Sequence, residues 1–162
     1  MVNIRPIRKS DKKQMYNMLV RFMKIEQRNQ IVSKKLLPLI SYWDYDARLR
    51  NHANRYVRLN PKKAIIFVAE DKGKLIGYIH GSVMNKPKMV LNKIGTLEDW
   101  FVDKEYRGTK IGKRLWEKLL AWFRKKGCKR LETNAYTTNK RAINIYHKLG
   151  FMDLVISLTR KL

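Results

Sequence analysis

The stretch from Ala64 to Val102 constrains the fold most, because it has the residue pattern of three consecutive β-strands. Asp71-Lys72-Gly73 is a hairpin turn signal between the first two apolar runs, and the loop from Asn85 to Asn92 precedes the third. The predicted strands are Ala64–Glu70, Leu75–Met84 and about Ile94–Val102. Three strands joined in this way predict an antiparallel meander that must bury a face against other elements.

Helical patterns lie on both sides of this meander, with apolar residues recurring at helical spacing. Gly127 and Gly150 are typical helix stops. The other predicted elements are a strand at Asn3–Arg8, helices from Ser10 or Asp11 to about Arg28, from about Ser41 to Leu59 and from about Lys110 to Lys126, a strand at Arg130–Tyr136, a helix from Thr138 or Asn139 to Leu149, and a strand at Phe151–Leu158. This order predicts an α/β fold with a mixed, largely antiparallel central sheet and helices on both faces.

The length of 162 residues predicts a single domain over residues 1–162. A composition of 44% hydrophobic and 31% charged residues excludes disordered and collagen-like classes. The lone Cys128 and the lack of a signal-peptide pattern predict a cytoplasmic protein. No apolar run approaches the ~20 residues of a membrane span, so no membrane contact is expected.

The formal net charge is +24, from 37 Lys and Arg against 13 Asp and Glu. The basic residues occur as short pairs along the whole chain rather than as one cluster. This distribution indicates a lysine-rich solvated surface. The alternative is a surface that attracts an anionic partner, with weak nonspecific contact to nucleic acid.

A short loop with two glycines joins the third strand to the following helix, between Val102 and Gly112. The first amides of a helix have no partner within it and lie at the positive end of its dipole, so such a loop can bind a phosphate or pyrophosphate. Gly108 permits a tight turn, and Gly112 permits close packing of the first helical turn. Basic neighbours suit an anionic ligand: Arg107, Lys110, Lys113 and Arg114. A well-packed loop without a ligand is the alternative.

Two adjacent carboxylates, Glu98 and Asp99, interrupt the apolar third strand. Because side chains alternate across a strand and helices are predicted on both faces, one of the two must enter a partly desolvated place. Burial raises the pKa of a carboxyl group, and such a group beside a cleft is a candidate general base. Alternatively, the two carboxylates have no catalytic role, and either form an ion pair with a basic residue or lie at a strand end that reaches solvent. A bulge would reverse the alternation, so the sequence does not decide which of the two acids enters the cleft.

The last predicted helix carries an inward-facing tyrosine. Ala142, Tyr146 and Leu149 share one helical face, so Tyr146 points toward the body of the protein and its hydroxyl needs a partner. Such a tyrosine is either a core residue or a catalytic one. The histidines and the cysteine show no spacing that predicts a metal site, and no histidine is given a role.

These three segments resemble the GNAT superfamily of acetyl-CoA-dependent N-acetyltransferases, over roughly Ala64 to Phe151. The family pattern of Arg or Gln, two residues, Gly, one residue, and Gly or Ala matches Arg107 to Gly112 at its ends. It departs at Lys110, where glycine is usual, but a backbone N–H remains there for a pyrophosphate. The acid-containing strand, the Tyr-Arg-Gly at 106–108 and the stretch Asn139–Tyr146 are most similar to the diamine acetyltransferase branch, which acts on spermidine, spermine or thialysine.

The resemblance implies a GNAT-like fold and a role for each matching residue. Glu98 and Asp99 would hold and deprotonate the amine, and Tyr146 would be the acid toward the leaving thiolate. The backbone of the strand would pair with the pantetheine arm of acetyl-CoA, and the glycine loop would hold the pyrophosphate. The last helix would also contact acetyl-CoA. The residues implied in binding acetyl-CoA are Trp100, Phe101, Val102, Arg107, Gly108, Thr109, Lys110, Ile111, Gly112, Lys113, Asn139, Ala142 and Tyr146.

The implied reaction is acetyl transfer to a primary amine by direct attack in a ternary complex. The amine is a small polyamine or amino compound, or a protein amine. A polyamine would be repelled by the charge of +24 unless Asp44, Asp46, Glu98 and Asp99 converge in an acidic cleft. Two alternatives lack catalysis: a basic nucleic-acid-binding module on this scaffold, and a protein that binds acetyl-CoA without transferring its acetyl group. A homodimer is one option for assembly, since dimers are common in families of this kind.

Overall fold

The computed structural model describes residues 1–28 and 44–160. Its helices and strands, in chain order, are β1 (Asn3–Pro6), α1 (Lys12–Arg28), α2 (Tyr45–Tyr56), β2 (Ala64–Asp71), β3 (Lys74–Asn85), β4 (Lys93–Val102), α3 (Ile111–Lys125), β5 (Arg130–Thr133) and α4 (Lys140–Lys148). Short 3-10 turns at Lys9–Asp11 and Lys104–Tyr106 lead into α1 and the loop before α3. None of the described helices is both long enough and apolar enough to cross a membrane.

The five strands form one sheet in the order β1-β2-β3-β4-β5. All neighbours pair antiparallel except β4 and β5, which pair parallel and are joined through α3. The hairpin between β2 and β3 turns at Lys72 and Gly73, whose φ values of 47° and 79° suit a two-residue turn matched to the twist of the strands. The predicted mixed, largely antiparallel sheet is confirmed.

Helices cover both faces of the sheet, as predicted. Helices α1 and α2 pack on one face, where the buried residues include Met15, Met18, Leu49, Ala53, Ile66, Val68, Tyr78 and Phe101. Helix α3 packs on the other, with Leu115, Leu119 and Phe123 against Phe67, Ile76, Ile79 and Leu97. The hydrophobic periodicity of α3 is the reason for its position, because its apolar residues recur on one side and are buried there.

Helix α2 begins at Tyr45, where Asp44 caps it by accepting a hydrogen bond of 2.9 Å from the amide of Ala47. The predicted start near Ser41 lies outside the described residues. Strand β5 ends at Thr133 rather than Tyr136, because its pairing with β4 ends there.

The predicted strand at Phe151–Leu158 is wrong: this segment is not part of the described sheet. Its apolar side chains suit a strand locally, but a strand also needs backbone partners, and no described strand pairs with it. Five of these apolar side chains are instead exposed: Met152, Leu154, Val155, Ile156 and Leu158.

Candidate active site

A β-bulge in β4 determines where the two adjacent acids lie. His80 is paired with Asp99, but the next residue of β3, Gly81, is paired with Leu97, so Glu98 is an extra residue without a partner in the ladder. The bulge changes the alternation along β4. Leu97 packs against α3, whereas Asp99 reaches α2 on the opposite face. Asp99 is therefore the partly buried acid, and Glu98 is exposed.

Side chains from two other elements surround the carboxylate of Asp99. The hydroxyl of Tyr56 donates a hydrogen bond of 2.5 Å to its Oδ2, and Nδ1 of His80 lies 3.8 Å from the same oxygen. Burial, and then the negative charge of Asp99, raise the pKa of Tyr56 well above its usual value, so the phenol keeps its proton and acts as a donor. The exposed Glu98 accepts a hydrogen bond of 2.5 Å from Ser82 Oγ.

The four acids considered for a polyamine cleft do not converge. Asp44 caps the first turn of α2, and Asp46 binds Tyr16 and Arg50 near the same end of the helix. Asp99 instead contacts Tyr56 at the last turn of α2, about 15 Å along the helix axis at 1.5 Å per residue. Of these four acids, only the adjacent pair on β4 therefore belongs to the candidate site.

Strands β4 and β5 separate just before the bulge. Their pairing ends at Leu97 and Thr133, so the second half of β4 is paired only with β3 within the described part of the chain. The open edge faces a cleft of about 500 Å³. Predicted residues that line this cleft are Trp100, Phe101, Val102, Arg107, Gly108, Gly112, Asn139, Ala142 and Tyr146. Backbone N–H and C=O groups along such an edge are available to a ligand.

The two glycines of the loop before α3 have different requirements. Gly108 has a φ of 84°, and a Cβ there would meet no atom within 4 Å, so its constraint is conformational rather than steric. A Cβ at Gly112 would lie 3.5 Å from the ring of Trp100, which is an ordinary contact. Gly112 thus packs beside Trp100, and the space there would also admit a Cβ.

Helix α3 begins without a side-chain cap. Its N-cap residue, Lys110, has a left-handed φ of 65° and makes no side-chain hydrogen bond to the first amides. Those amides are therefore available to an anion at the positive end of the helix dipole. The left-handed φ also explains why glycine is usual at this position of the motif.

Six predicted residues do not line the cleft: Glu98, Asp99, Thr109, Lys110, Ile111 and Lys113. The two acids and Lys110 are described above, and the other three lie near the loop. Thr109 Oγ1 donates a hydrogen bond of 2.6 Å to the carbonyl of Tyr106, Ile111 is buried in the α3 core, and Lys113 Nζ lies 3.8 Å from Glu117 Oε1. Their contribution to anion binding would come from backbone amides.

Two arginines lie together at the end of the cleft formed by the glycine loop. Arg107 Nε donates to the carbonyl of Val102 at 3.0 Å, and both Arg107 and Arg141 line the cleft. Burial, and next the positive charge of Arg141, lower the pKa of Arg107. Like charges in this position favour an anionic ligand between them. Sequence reasoning missed Arg141, although its position two residues after Asn139 in the motif was a usable signal.

Tyr146 reaches the cleft from α4, which is capped by Asn139 through a hydrogen bond of 3.1 Å from the amide of Ala142. Burial is the main cause that raises the pKa of Tyr146. A hydrogen bond with Thr133 acts in the opposite direction, and the charge of Asp99 raises the pKa further. Tyr146 and Asp99 therefore interact electrostatically across the open edge of β4.

Sequence reasoning missed Tyr56 and His80. They come from α2 and β3 and meet Asp99 only through tertiary packing, so no local motif could reveal them. Across residues 1–28 and 44–160, no three His, Cys, Asp or Glu side chains form a group that could hold a metal ion.

Sequence comparison identifies relatives over parts of the chain. An uncharacterised N-acetyltransferase of Methanocaldococcus jannaschii is 31% identical over 87 residues, which are 54% of this chain and 38% of that protein. The thialysine N-epsilon-acetyltransferase of Bos taurus is 41% identical over 58 residues, which are 36% of this chain and 34% of that enzyme. The match thus spans little more than a third of the length of these curated relatives.

Solved structures match along the whole chain. A mutant of the BH1408 protein from Bacillus halodurans has a TM-score of 0.80 at 19% identity, covering 99% of each chain. An aminoglycoside N-acetyltransferase in complex with a bisubstrate analogue of coenzyme A has a TM-score of 0.70 at 18% identity, covering 100% of this chain and 99% of that one. At this identity the likeness shows the fold.

The model of the acetyltransferase (GNAT) family matches residues 21–151. This range contains the bulged strand, the glycine loop and the tyrosine of α4, which were the three segments of the sequence resemblance. The protein belongs to the GNAT acetyltransferase family.

Proposed function

We propose that the protein transfers an acetyl group from acetyl-CoA to a primary amine, by direct attack of the amine in a ternary complex. The observation that carries this proposal is the open edge of β4. It lies between an anion-binding loop at one end and the acids Glu98 and Asp99 at the other, with Tyr146 facing it from α4.

Three features of the cleft support binding of acetyl-CoA. The open edge offers backbone donors and acceptors to the amides of a pantetheine arm, as a neighbouring strand would. The uncapped amides of α3, with Arg107 and Arg141, supply hydrogen-bond donors and positive charge for a pyrophosphate. The volume of about 500 Å³ also lies within the range of small-molecule sites.

The acids of β4 act on the amine. Acetyl-CoA supplies the acetyl group as an activated thioester. An alkylammonium group with a pKa near ~10.4 is mostly protonated at neutral pH and must lose a proton before it attacks. Asp99, oriented by Tyr56, and the exposed Glu98 are the carboxylates available to receive that proton, directly or through a water molecule.

The strand backbone and α4 act on the other side of the reaction. An N–H near Phe101 on the open edge would polarise the thioester carbonyl and stabilise negative charge on its oxygen. Tyr146 keeps its proton because burial raises its pKa, and it donates to the leaving thiolate. A free thiol has a reference pKa near ~8.5, below that of a phenol at ~10, so this donation is mainly a hydrogen bond that strengthens as the thiolate forms.

Diamine or lysine-like amines are the first candidates within this proposal. The partial match to thialysine N-epsilon-acetyltransferase supports this class. The acidic part of the site is restricted to Glu98 and Asp99, which suits a single ammonium group better than an extended polycation. Protein amines are the alternative class, because a chain with a net charge of +24 attracts acidic surfaces.

The test is to incubate the purified protein with acetyl-CoA and a panel of polyamines, lysine, thialysine, peptides and aminoglycosides, with release of free thiol as the readout. We expect turnover with at least one primary amine. Asp99→Asn is expected to lower kcat by about a hundredfold, a typical contribution of general base catalysis. Asp153→Asn is the matched control, since Asp153 is exposed and pairs with His147 outside the cleft lining.

The other outcomes separate the alternatives. Binding of acetyl-CoA without thiol release for any amine would support an acetyl-CoA-binding protein. Failure to bind acetyl-CoA, together with nucleic-acid binding that falls steeply with salt, would support the nucleic-acid-binding module.

A further inference from the structure

His80 is a buried titratable side chain that the steps above do not use. Its side chain is 12% exposed, and both ring nitrogens are buried without a hydrogen-bond partner among the described residues. A buried polar atom without a hydrogen-bond partner destabilises a fold, so such an atom calls for an explanation.

The ring of His80 lies in a cluster built by three elements. The ring of Tyr56 has its centroid 4.9 Å away, and the ring of His52 stacks on Tyr56 at 5.8 Å. Across the sheet, Asp99 is the partner of His80 on β4, and Ile66 is its apolar partner on β2. The titratable and charged groups that belong to this cluster or act on its His52 and Tyr56 are Arg48 and Arg55 from α2, Asp99 and Glu98 from β4, and Tyr78 from β3.

His80 and Asp99 lie close together without a hydrogen bond between them. Nδ1 of His80 lies 3.8 Å from Asp99 Oδ2, beyond hydrogen-bond range, and this oxygen already accepts the bond from Tyr56. A neutral imidazole nitrogen without a proton cannot bond to an ionised carboxylate. If Asp99 takes up a proton, it becomes a donor, and a shift of about 1 Å would close the gap.

We propose that His80 takes up, through Asp99, the proton that the substrate amine loses. This inference rests on the proposed acetyl transfer. The ammonium N–H bond breaks and its electron pair stays on nitrogen, while the proton passes to Asp99 directly or through water. The Asp99 O–H bond then breaks, and an Nδ1–H bond forms on His80. The result is a free amine and an imidazolium paired with the carboxylate. His80 acts as a positioning residue, because it works through Asp99 and does not touch the amine.

This arrangement lowers the free-energy cost of removing the proton from the amine. An imidazole nitrogen is intrinsically a stronger base than a carboxylate oxygen. Tyr56 supports the transfer because its hydroxyl remains a fixed donor that stabilises the carboxylate once the proton has moved on.

The first test is the pH dependence of kcat in His80→Gln, which keeps hydrogen-bonding capacity but cannot take up a proton. We expect kcat to fall about a hundredfold at pH 7, as for loss of an acid–base group, with the KM for the amine changed less than about threefold. The defect should shrink to within about threefold near pH 10, where much of a free alkylamine is already deprotonated. His147→Gln is the matched control, because His147 also pairs with an aspartate, Asp153, but on the surface.

A second variant distinguishes the loss of a proton acceptor from a loss of folding. His80→Ala leaves an imidazole-sized cavity, and added imidazole is expected to restore turnover, whereas pyrrole, which has the same shape without a basic nitrogen, is not. Acetyl-CoA affinity within about twofold of the wild-type value serves as the folding control for both variants. The proposal is overturned if His80→Gln keeps wild-type kcat at pH 7, if its defect is the same at all pH values, or if pyrrole restores His80→Ala as well as imidazole does. Absence of turnover by the wild-type protein would instead contradict the acetyl transfer itself, and this inference with it.

Discussion

Replacing Lys110 with glycine is expected to stabilise the protein and to preserve acetyl-CoA binding. Lys110 has a φ of 65°, and the left-handed conformation costs a non-glycine residue about 1–2 kcal/mol. Glycine avoids that cost but loses more backbone freedom on folding, about 0.5–1 kcal/mol. Because the lysine side chain makes no capping hydrogen bond, the net gain in the free energy of unfolding is about 0.5–1 kcal/mol.

The matched control is Lys113→Gly, which removes the same kind of side chain from the first turn of the same helix. Position 113 lies within α3, where a glycine destabilises the helix by about 1 kcal/mol relative to good helix formers. The two variants should therefore shift the midpoint of urea unfolding in opposite directions. In thermal unfolding, a gain of this size corresponds to about 2–3 °C for a chain of this length. Calorimetric titration of acetyl-CoA into Lys110→Gly should give an affinity within about threefold of the wild-type value, because the backbone amides remain.

Two results would contradict this reasoning. If Lys110→Gly destabilises the protein as Lys113→Gly does, the backbone at position 110 is not left-handed. If it is more stable but binds acetyl-CoA more than tenfold more weakly, the lysine side chain itself is a ligand.

Three further predictions concern the cleft and the core. Tyr146→Phe should lower kcat about tenfold or more with little change in acetyl-CoA affinity, and unchanged turnover in the thiol-release assay would mean that Tyr146 only packs. Arg141→Gln should weaken acetyl-CoA about fivefold at low salt, with a smaller effect at high salt, measured by titration calorimetry; a salt-independent loss would contradict a charge effect. Gly81→Ala should destabilise the protein by about 1–3 kcal/mol in urea unfolding, because the new Cβ would lie 2.5 Å from Leu119 and 2.8 Å from Phe123; wild-type stability would show that these side chains move aside freely.

Much of the cleft was predictable because its residues lie in short, ordered segments. The turn at Gly108, the uncapped start of α3 and the inward face of Tyr146 all follow from patterns within a few residues. The family resemblance then related these segments to one another. The strand predicted at Phe151–Leu158 shows the limit of local pattern, because apolar side chains suit a strand but do not supply a partner for its backbone.

The amino-acid sequence by itself determined the hairpin at Lys72-Gly73, the amphipathic α3, the glycine loop and the membership in an acetyltransferase family. The first three depend on local backbone preference or on apolar spacing, which act over one or two turns of chain, whereas the family membership depends on the resemblance of the whole set of segments to known sequences. Only the tertiary structure decided that Glu98 is the bulged residue, that Asp99 turns inward, and that Asp44 and Asp46 lie far from it. It also decided that His52 and Tyr56 from α2 and His80 from β3 meet near that carboxylate. These outcomes depend on strand register and helix docking, which are set by contacts between residues distant in sequence.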